Sequence, residues 1–140
     1  MAAHPGVRAR EATCSCGRLR LTVEGEPVRV SICHCLACQR RTGSAFGYQA
    51  RFDAAGVRIE GSPRRYVRIS DHGEERTFHF CGDCGSTLYY TSAAEPSLVA
   101  FAVGAFADPA FPTPRVSVWE SRRHSWVGLP EGIRHERQPG

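Results

Sequence analysis

The 140-residue chain has no lysine: all 18 of its formal positive charges are arginine. The arginines are spread along the chain rather than gathered into a stripe. The formal charge of +4 therefore makes no patch of the kind nucleic acids need, and no nucleic-acid partner is expected. No apolar run approaches the ~18 residues of a membrane-spanning helix, so no membrane segment is expected either. The opening stretch MAAHPGVRAREAT lacks the apolar centre of a secretory signal. The expectation is a cytoplasmic protein in a reducing environment, where clustered cysteines are thiols or metal ligands rather than disulfides. There is no internal repeat, little helical periodicity, and no cysteine outside three tight clusters. The length fits one domain able to bury on the order of two-thirds of its unfolded surface.

What is present alternates with a period of two. Leu19, Leu21 and Val23 alternate with Arg18, Arg20 and Thr22, and Val28, Val30 and Ile32 with Arg29 and Ser31. Phe46, Tyr48, Ala50 and Phe52 share one face. The pattern repeats at Val57 and Ile59, at Val67 and Ile69, and at Phe78 and Phe80. Leu98 to Val103 is a more continuous apolar strand, and Val116 and Val118 make a last one. Short alternating runs separated by 14 glycines and nine prolines predict an all-β domain of antiparallel sheets. Only Leu36 to Thr42 has helical character. Residues 1–10 and 131–140 are expected to be flexible tails around a domain spanning 11–130.

The seven cysteines read Cys14-Ser-Cys16, Cys33-His-Cys35-Leu-Ala-Cys38 and Cys81-Gly-Asp-Cys84. The outer two clusters together make a closed four-thiolate site, and the middle trio makes an open one. Zinc chemistry draws that distinction: structural sites take four protein ligands, and catalytic sites keep one position free. Two zinc ions and seven thiolates would bring the formal charge from +4 to about +1. Gly17, Gly82 and Gly85 suit tight turns whose N–H groups are aimed at sulfur.

Three other readings compete. Disulfides leave one thiol over, and a C-x-C pair closes too small a loop. A thioredoxin-type pair at Cys81 and Cys84 needs a following helix, whereas Thr87 to Tyr90 reads as strand. Two structural zincs would need a fourth ligand for the trio, from His34, His72 or His79. His34 lies between two ligands and is expected to point elsewhere; His72 looks like turn material; His79 faces away from Phe78 and Phe80. With none of them bound, a three-thiolate zinc takes a fourth ligand from outside, and thiolate-rich zinc prefers a soft sulfur. The matching task is to hold a small thiol, of which glutathione is the obvious cytosolic one.

The stretches CSCGRLRLTV, CHCLACQRRTGSAF and HFCGDCGSTLYY, with VGAFADP and VSVWESRRHSWVGLP further on, resemble the glutathione-dependent formaldehyde-activating enzyme family, which includes the centromere protein V-like proteins. The resemblance runs from about Ala12 to Pro130. It implies a β-tent fold of stacked antiparallel sheets, a structural zinc on Cys14, Cys16, Cys81 and Cys84, and a catalytic zinc on Cys33, Cys35 and Cys38. It also implies carbon–sulfur lyase chemistry of the S-hydroxymethylglutathione synthase type, joining glutathione and formaldehyde. Two positions depart from the family pattern: Arg115 stands where a histidine is frequent, and Ala107 where an acidic residue is common.

Arginine is the best bidentate partner for the two carboxylates of glutathione. Arg40, Arg41 and Arg51 lie near the trio in sequence. Arg41, with the backbone at Gly43 and Ser44, is the expected ligand-binding group, and Gln39 is a further polar candidate. Tyr48, Phe46, Tyr89 and Tyr90 are candidate pocket walls or core residues. The alternatives to an enzyme are a zinc-stabilised adaptor module and a thiol or metal sensor that responds through the open site.

Overall fold

The computed structural model describes residues 8–136, and the rest of the tails expected at 1–10 and 131–140 lies outside the described residues. In chain order the strands are β1 (Ala9–Thr13), β2 (Arg20–Glu24) and β3 (Arg29–Cys33), then the helix α1 (Leu36–Thr42). There follow β4 (Gly47–Asp53), β5 (Val57–Glu60), β6 (Arg64–Ile69) and β7 (Glu75–Phe80). The last four are β8 (Thr87–Ser92), β9 (Leu98–Ala102), β10 (Val116–Val118) and β11 (Arg134–Glu136). The fold is mainly β, as the period-two pattern predicts, and α1 occupies the one stretch with helical character. Among the described residues no helix is long and apolar enough to cross a membrane.

The strands form two sheets. The smaller has the order β1-β2-β5, and the larger runs β11-β10-β3-β4-β9-β8-β7-β6. Pairing is antiparallel except at one edge, where β10 runs parallel to both β3 and β11. Parallel neighbours need a crossover of a dozen or more residues, and residues 119–133 supply one between β10 and β11. The expected tails are corrected at both ends. Ala9 and Arg10 begin β1, and Arg134–Glu136 form β11. Arg10 is buried, with its guanidinium 5.1 Å from the Phe111 ring centroid and 3.3 Å from Glu26.

The main core lies between the two sheets. Leu21 and Val23 of β2 face Phe52, Leu88 and Phe101 of the larger sheet within one buried cluster. Phe52 meets Phe101 edge-on at 5.4 Å, and Phe106 stacks between Phe101 and Phe111 at 5.2 and 5.0 Å. The opposite face of the larger sheet carries a second, smaller cluster of Phe78, Tyr90 and Ala100.

Val67 and Ile69 continue the period-two pattern but are 49% and 60% exposed. They lie on β6, an edge strand that pairs only with β7.

Phe52→Ala should cost about 3–5 kcal/mol of unfolding free energy, since it empties the centre of the aromatic core. Val67→Ala should change it by less than about 0.5 kcal/mol. Denaturant unfolding of the two variants checks both.

Candidate functional site

The first sulfur group joins two turns distant in sequence. The Sγ atoms of Cys14, Cys16, Cys81 and Cys84 all lie within 4.8 Å of one another. Cys14 and Cys16 follow β1, and Cys81 and Cys84 follow β7. Each turn closes on its own backbone: Gly17 N–H donates to Cys14 O at 3.1 Å, and Gly85 N–H to Cys81 O at 2.8 Å. Both glycines have φ near +80°, where a side chain would be strained. Gly82 has a different reason, for a Cβ there would lie 2.5 Å from Arg64 Cδ. The turns are stitched together by Ser15, whose N–H donates to Ser86 Oγ at 3.1 Å.

The sulfur spacing fits a metal. Cys14 to Cys16 is 3.5 Å and Cys16 to Cys81 is 3.6 Å, close to the roughly 3.8 Å edge of a tetrahedron with Zn–S bonds of about 2.3 Å. Donors are aimed at the sulfurs, as thiolates require. Leu19 N–H donates to Cys14 Sγ at 3.3 Å, and the Ser86 hydroxyl lies 3.4 Å from Cys84 Sγ. That hydroxyl, with the Ser86 backbone, helps bring the Cys84 thiol down to about 5.

The second group sits where β3 passes into α1. Cys33 is the last residue of β3, Cys35 is the N-cap of α1, and Cys38 lies in its first turn. The Cys38 N–H donates to Cys35 Sγ at 3.3 Å, so a sulfur performs the capping usually done by an oxygen. The three Sγ atoms lie within 4.8 Å of one another, and among the described residues no histidine or carboxylate joins them. Hydrogen bonds from Cys33 and then Cys38 hold Cys35 down to about 2, and contact with Cys35 and then Cys38 pushes Cys33 up. Both all-sulfur groups can hold a metal ion and are compatible with zinc.

None of the three histidines considered as closing ligands joins the sulfurs, although His72 borders the same cavity as Cys33 and Cys38. His34 is fully buried, its Nε2 3.0 Å from Ser117 Oγ on β10, and burial lowers its pKa. His79 stacks on Tyr89 at 4.2 Å, with the rings nearly parallel. His72 lies 6.2 Å from the Trp119 ring.

The trio borders two cavities that meet at Cys38, Arg76 and Tyr90. The larger, about 540 Å³, is walled by Tyr66, Phe78, Phe80 and Tyr90, with guanidiniums from Arg40, Arg41, Arg68 and Arg76. The smaller, about 190 Å³, touches both Cys33 and Cys38 and is polar, with Gln49, Arg51 and Glu74 in its wall. Gln49 Oε1 is buried without a hydrogen-bond partner. Gly47, opposite Cys33 in the β3–β4 register, keeps this region open: a Cβ there would lie 2.9 Å from Gln49 Oε1 and 3.3 Å from Arg41 Nη2.

A register shift shapes the larger cavity. Phe80 opposes Thr87 and His79 opposes Tyr89, so Thr87 and Tyr90 both line the cavity although three residues apart.

Of the residues expected to bind a ligand, Arg41 stands in this wall, 5.2 Å from the Phe78 centroid and 5.6 Å from that of Tyr90. Arg40 also lines it. Arg51 lines the smaller cavity and donates to the Tyr90 hydroxyl at 3.2 Å. Gly43 and Ser44 line neither. The Gly43 N–H caps α1 by donating to Gln39 O at 2.9 Å, and the Ser44 N–H donates to Thr42 Oγ1 at 3.1 Å. Gln39 is occupied as well, its amide donating to the carbonyls of His34 and Arg122.

Phe46 packs against His34 at 6.2 Å, Tyr48 donates to Pro112 O, and Tyr89 belongs to the core. Of the four aromatic candidates, Tyr90 alone borders the cavities beside the trio. Arg115 and Ala107, where the family pattern is broken, border neither. Four residues that border the cavities are not singled out by the sequence: Arg68, Arg76 and Tyr66, far from the trio in sequence, and Gln49. Their signal was alternation, since Tyr66 and Arg68 pair across the ladder with Phe78 and Arg76.

Comparison with known proteins agrees with this arrangement. A solved structure of a Rhodobacter sphaeroides protein superposes with a TM-score of 0.55 at 20% identity, covering 71% of this chain and 91% of that one. That likeness concerns the fold. No curated protein is similar enough to count as a match. The family model described as glutathione-dependent formaldehyde-activating enzyme matches residues 9–122, spanning both cysteine groups. The chain belongs to the glutathione-dependent formaldehyde-activating enzyme family.

Proposed function

We propose that the chain is a cytoplasmic, zinc-dependent enzyme of the carbon–sulfur lyase type that joins glutathione, or a similar small thiol, to a small aldehyde such as formaldehyde. The observation that carries this reading is the sulfur trio: three converging donors, no fourth among the described residues, and an adjoining cavity. Cys14, Cys16, Cys81 and Cys84 would hold a structural zinc, and Cys33, Cys35 and Cys38 a catalytic one. A zinc ion there would favour the thiolate form of a thiol brought beside Cys33, Cys35 and Cys38.

The remaining work falls to the chain. The smaller cavity touches two of the three sulfurs and is the natural seat of the thiol's polar groups. Gln49 Oε1 would accept from a peptide N–H, and Arg51 would pair with a carboxylate. Arg76 stands where the cavities meet, and Arg41 lines the larger one. The thiol sulfur forms a bond to the carbonyl carbon, and the π pair moves onto oxygen. That oxygen then takes a proton in place of the one the thiol lost, and nothing is oxidised or reduced. Holding sulfur and carbonyl together can lower such a barrier by about 7 kcal/mol or more.

Metal analysis tests the division between the sites. The native protein should carry two zinc ions, and Cys35→Ala one, with the fold retained by circular dichroism. Cys81→Ala should fail to fold, because a structural zinc contributes much of a small domain's stability. Loss of both ions on Cys35→Ala would show that the middle site is structural too.

Millimolar glutathione should raise the melting temperature of the native protein but not of Cys35→Ala. A ligand at about 100 times its Kd stabilises by roughly 2.7 kcal/mol. A two-zinc protein without this shift would be an adaptor or a sensor.

A further inference from the structure

We infer that the larger cavity selects the electrophile, and that this electrophile is an aldehyde with a flat aromatic body and a carboxylate. The inference rests on the thiol-adding activity proposed above, and it departs from that reading in the size and charge of the second substrate.

Size comes first. A one-carbon aldehyde is comparable to a water molecule, whose share of liquid volume is about 30 Å³. The cavity measures about 540 Å³, within the roughly 300–1,000 Å³ of sites for drug-sized ligands. A one-carbon substrate would leave most of it to solvent.

The walls supply the shape. Phe78 and Tyr90 pack at 5.1 Å on the floor, and Tyr66 and Phe80 flank them. Tyr66 is 61% exposed although it is a large aromatic residue, so its ring has surface to offer a ligand. The exposed Tyr66 ring can stack with another planar ring.

Charge supplies the second handle. No aspartate or glutamate lines this cavity. Arg40, Arg41 and Arg68 have no carboxylate partner among the described residues. Arg41 and Arg68 lie 5.2 and 5.7 Å from the Phe78 centroid. A guanidinium packed on a ring still has a planar fork of N–H donors to offer a carboxylate. Arg76 adds a buried Nε with no partner. Cys38 belongs to the same wall, so an aldehyde group can lie beside the trio while its carboxylate meets the arginines.

The thiol substrate itself is the rival occupant. Glutathione carries an ammonium group and peptide N–H groups besides its carboxylates. The smaller cavity, with Glu74 and the unpartnered Gln49 Oε1, offers acceptors for them, whereas no carboxylate lines the larger one.

The test is calorimetric titration of the zinc-loaded protein, without thiol, with para-formylbenzoate and with benzaldehyde. The carboxylated aldehyde should bind at least about tenfold more tightly, as expected for a charge-assisted bidentate contact. Arg68→Ala should abolish that preference, and Arg68→Lys should restore part of it. Arg68 lies on an edge strand outside the main core, so these variants leave that core untouched. Equal affinity for the two aldehydes, no binding of either at millimolar ligand, or an unchanged preference in Arg68→Ala would overturn the inference. Because this readout contains no thiol, failure of the glutathione reading appears separately, as the missing thermal shift.

Discussion

The four-sulfur clasp is the constraint on which the rest of the structure depends. The two sheets share no strand pairing, so their relative placement comes from packing and from this clasp. It joins the turn after β1 to the turn after β7, and Cys14 and Cys81 form the end of the main core. Fixing the turn after β7 also fixes β7 and β8, which carry Phe78, Phe80, Thr87 and Tyr90 to the cavity beside the other sulfurs. One sulfur group thus helps set the surroundings of the other.

The two centres use the same donor atom and differ in their surroundings. The clasp lies on turns, with Cys16 and Cys84 exposed. The trio is mounted on rigid elements: the end of a strand inside the larger sheet, a helix cap and a first helical turn. His34 separates two of its sulfurs, yet its ring is held by Ser117 on the neighbouring strand. That contact locks the β3–α1 junction without adding a fourth donor. The bulge between β7 and β8 then faces aromatic side chains toward the sulfurs, as bulges beside functional sites do.

Much of this was legible in the sequence, for physical reasons that also mark where the legibility ends. Cysteine spacing reports local turns, so Cys81-Gly-Asp-Cys84 and Cys14-Ser-Cys16 announce their sulfur groups directly. Period two identifies side chains that share a face. It does not say which face is covered, and hence it leaves Val67 and Ile69 unplaced and passes over Tyr66 and Arg68. Edge position is a tertiary fact. So is parallel pairing: β11 is three residues long and depends on a distant crossover, which makes Arg134–Glu136 look like a polar tail. Gly43 and Ser44 illustrate a different limit. A Gly-Ser step beside a helix does supply amide donors, but here the helix end and Thr42 consume them.

The open flank of β6 carries a further meaning. Arg64, Arg65 and Arg68 crowd a strand of six residues that has one neighbour only. If two molecules approached flank to flank, like charges would meet across the new ladder and repel. The three arginines, of which Arg68 also borders the larger cavity, thereby disfavour edge-to-edge association along β6.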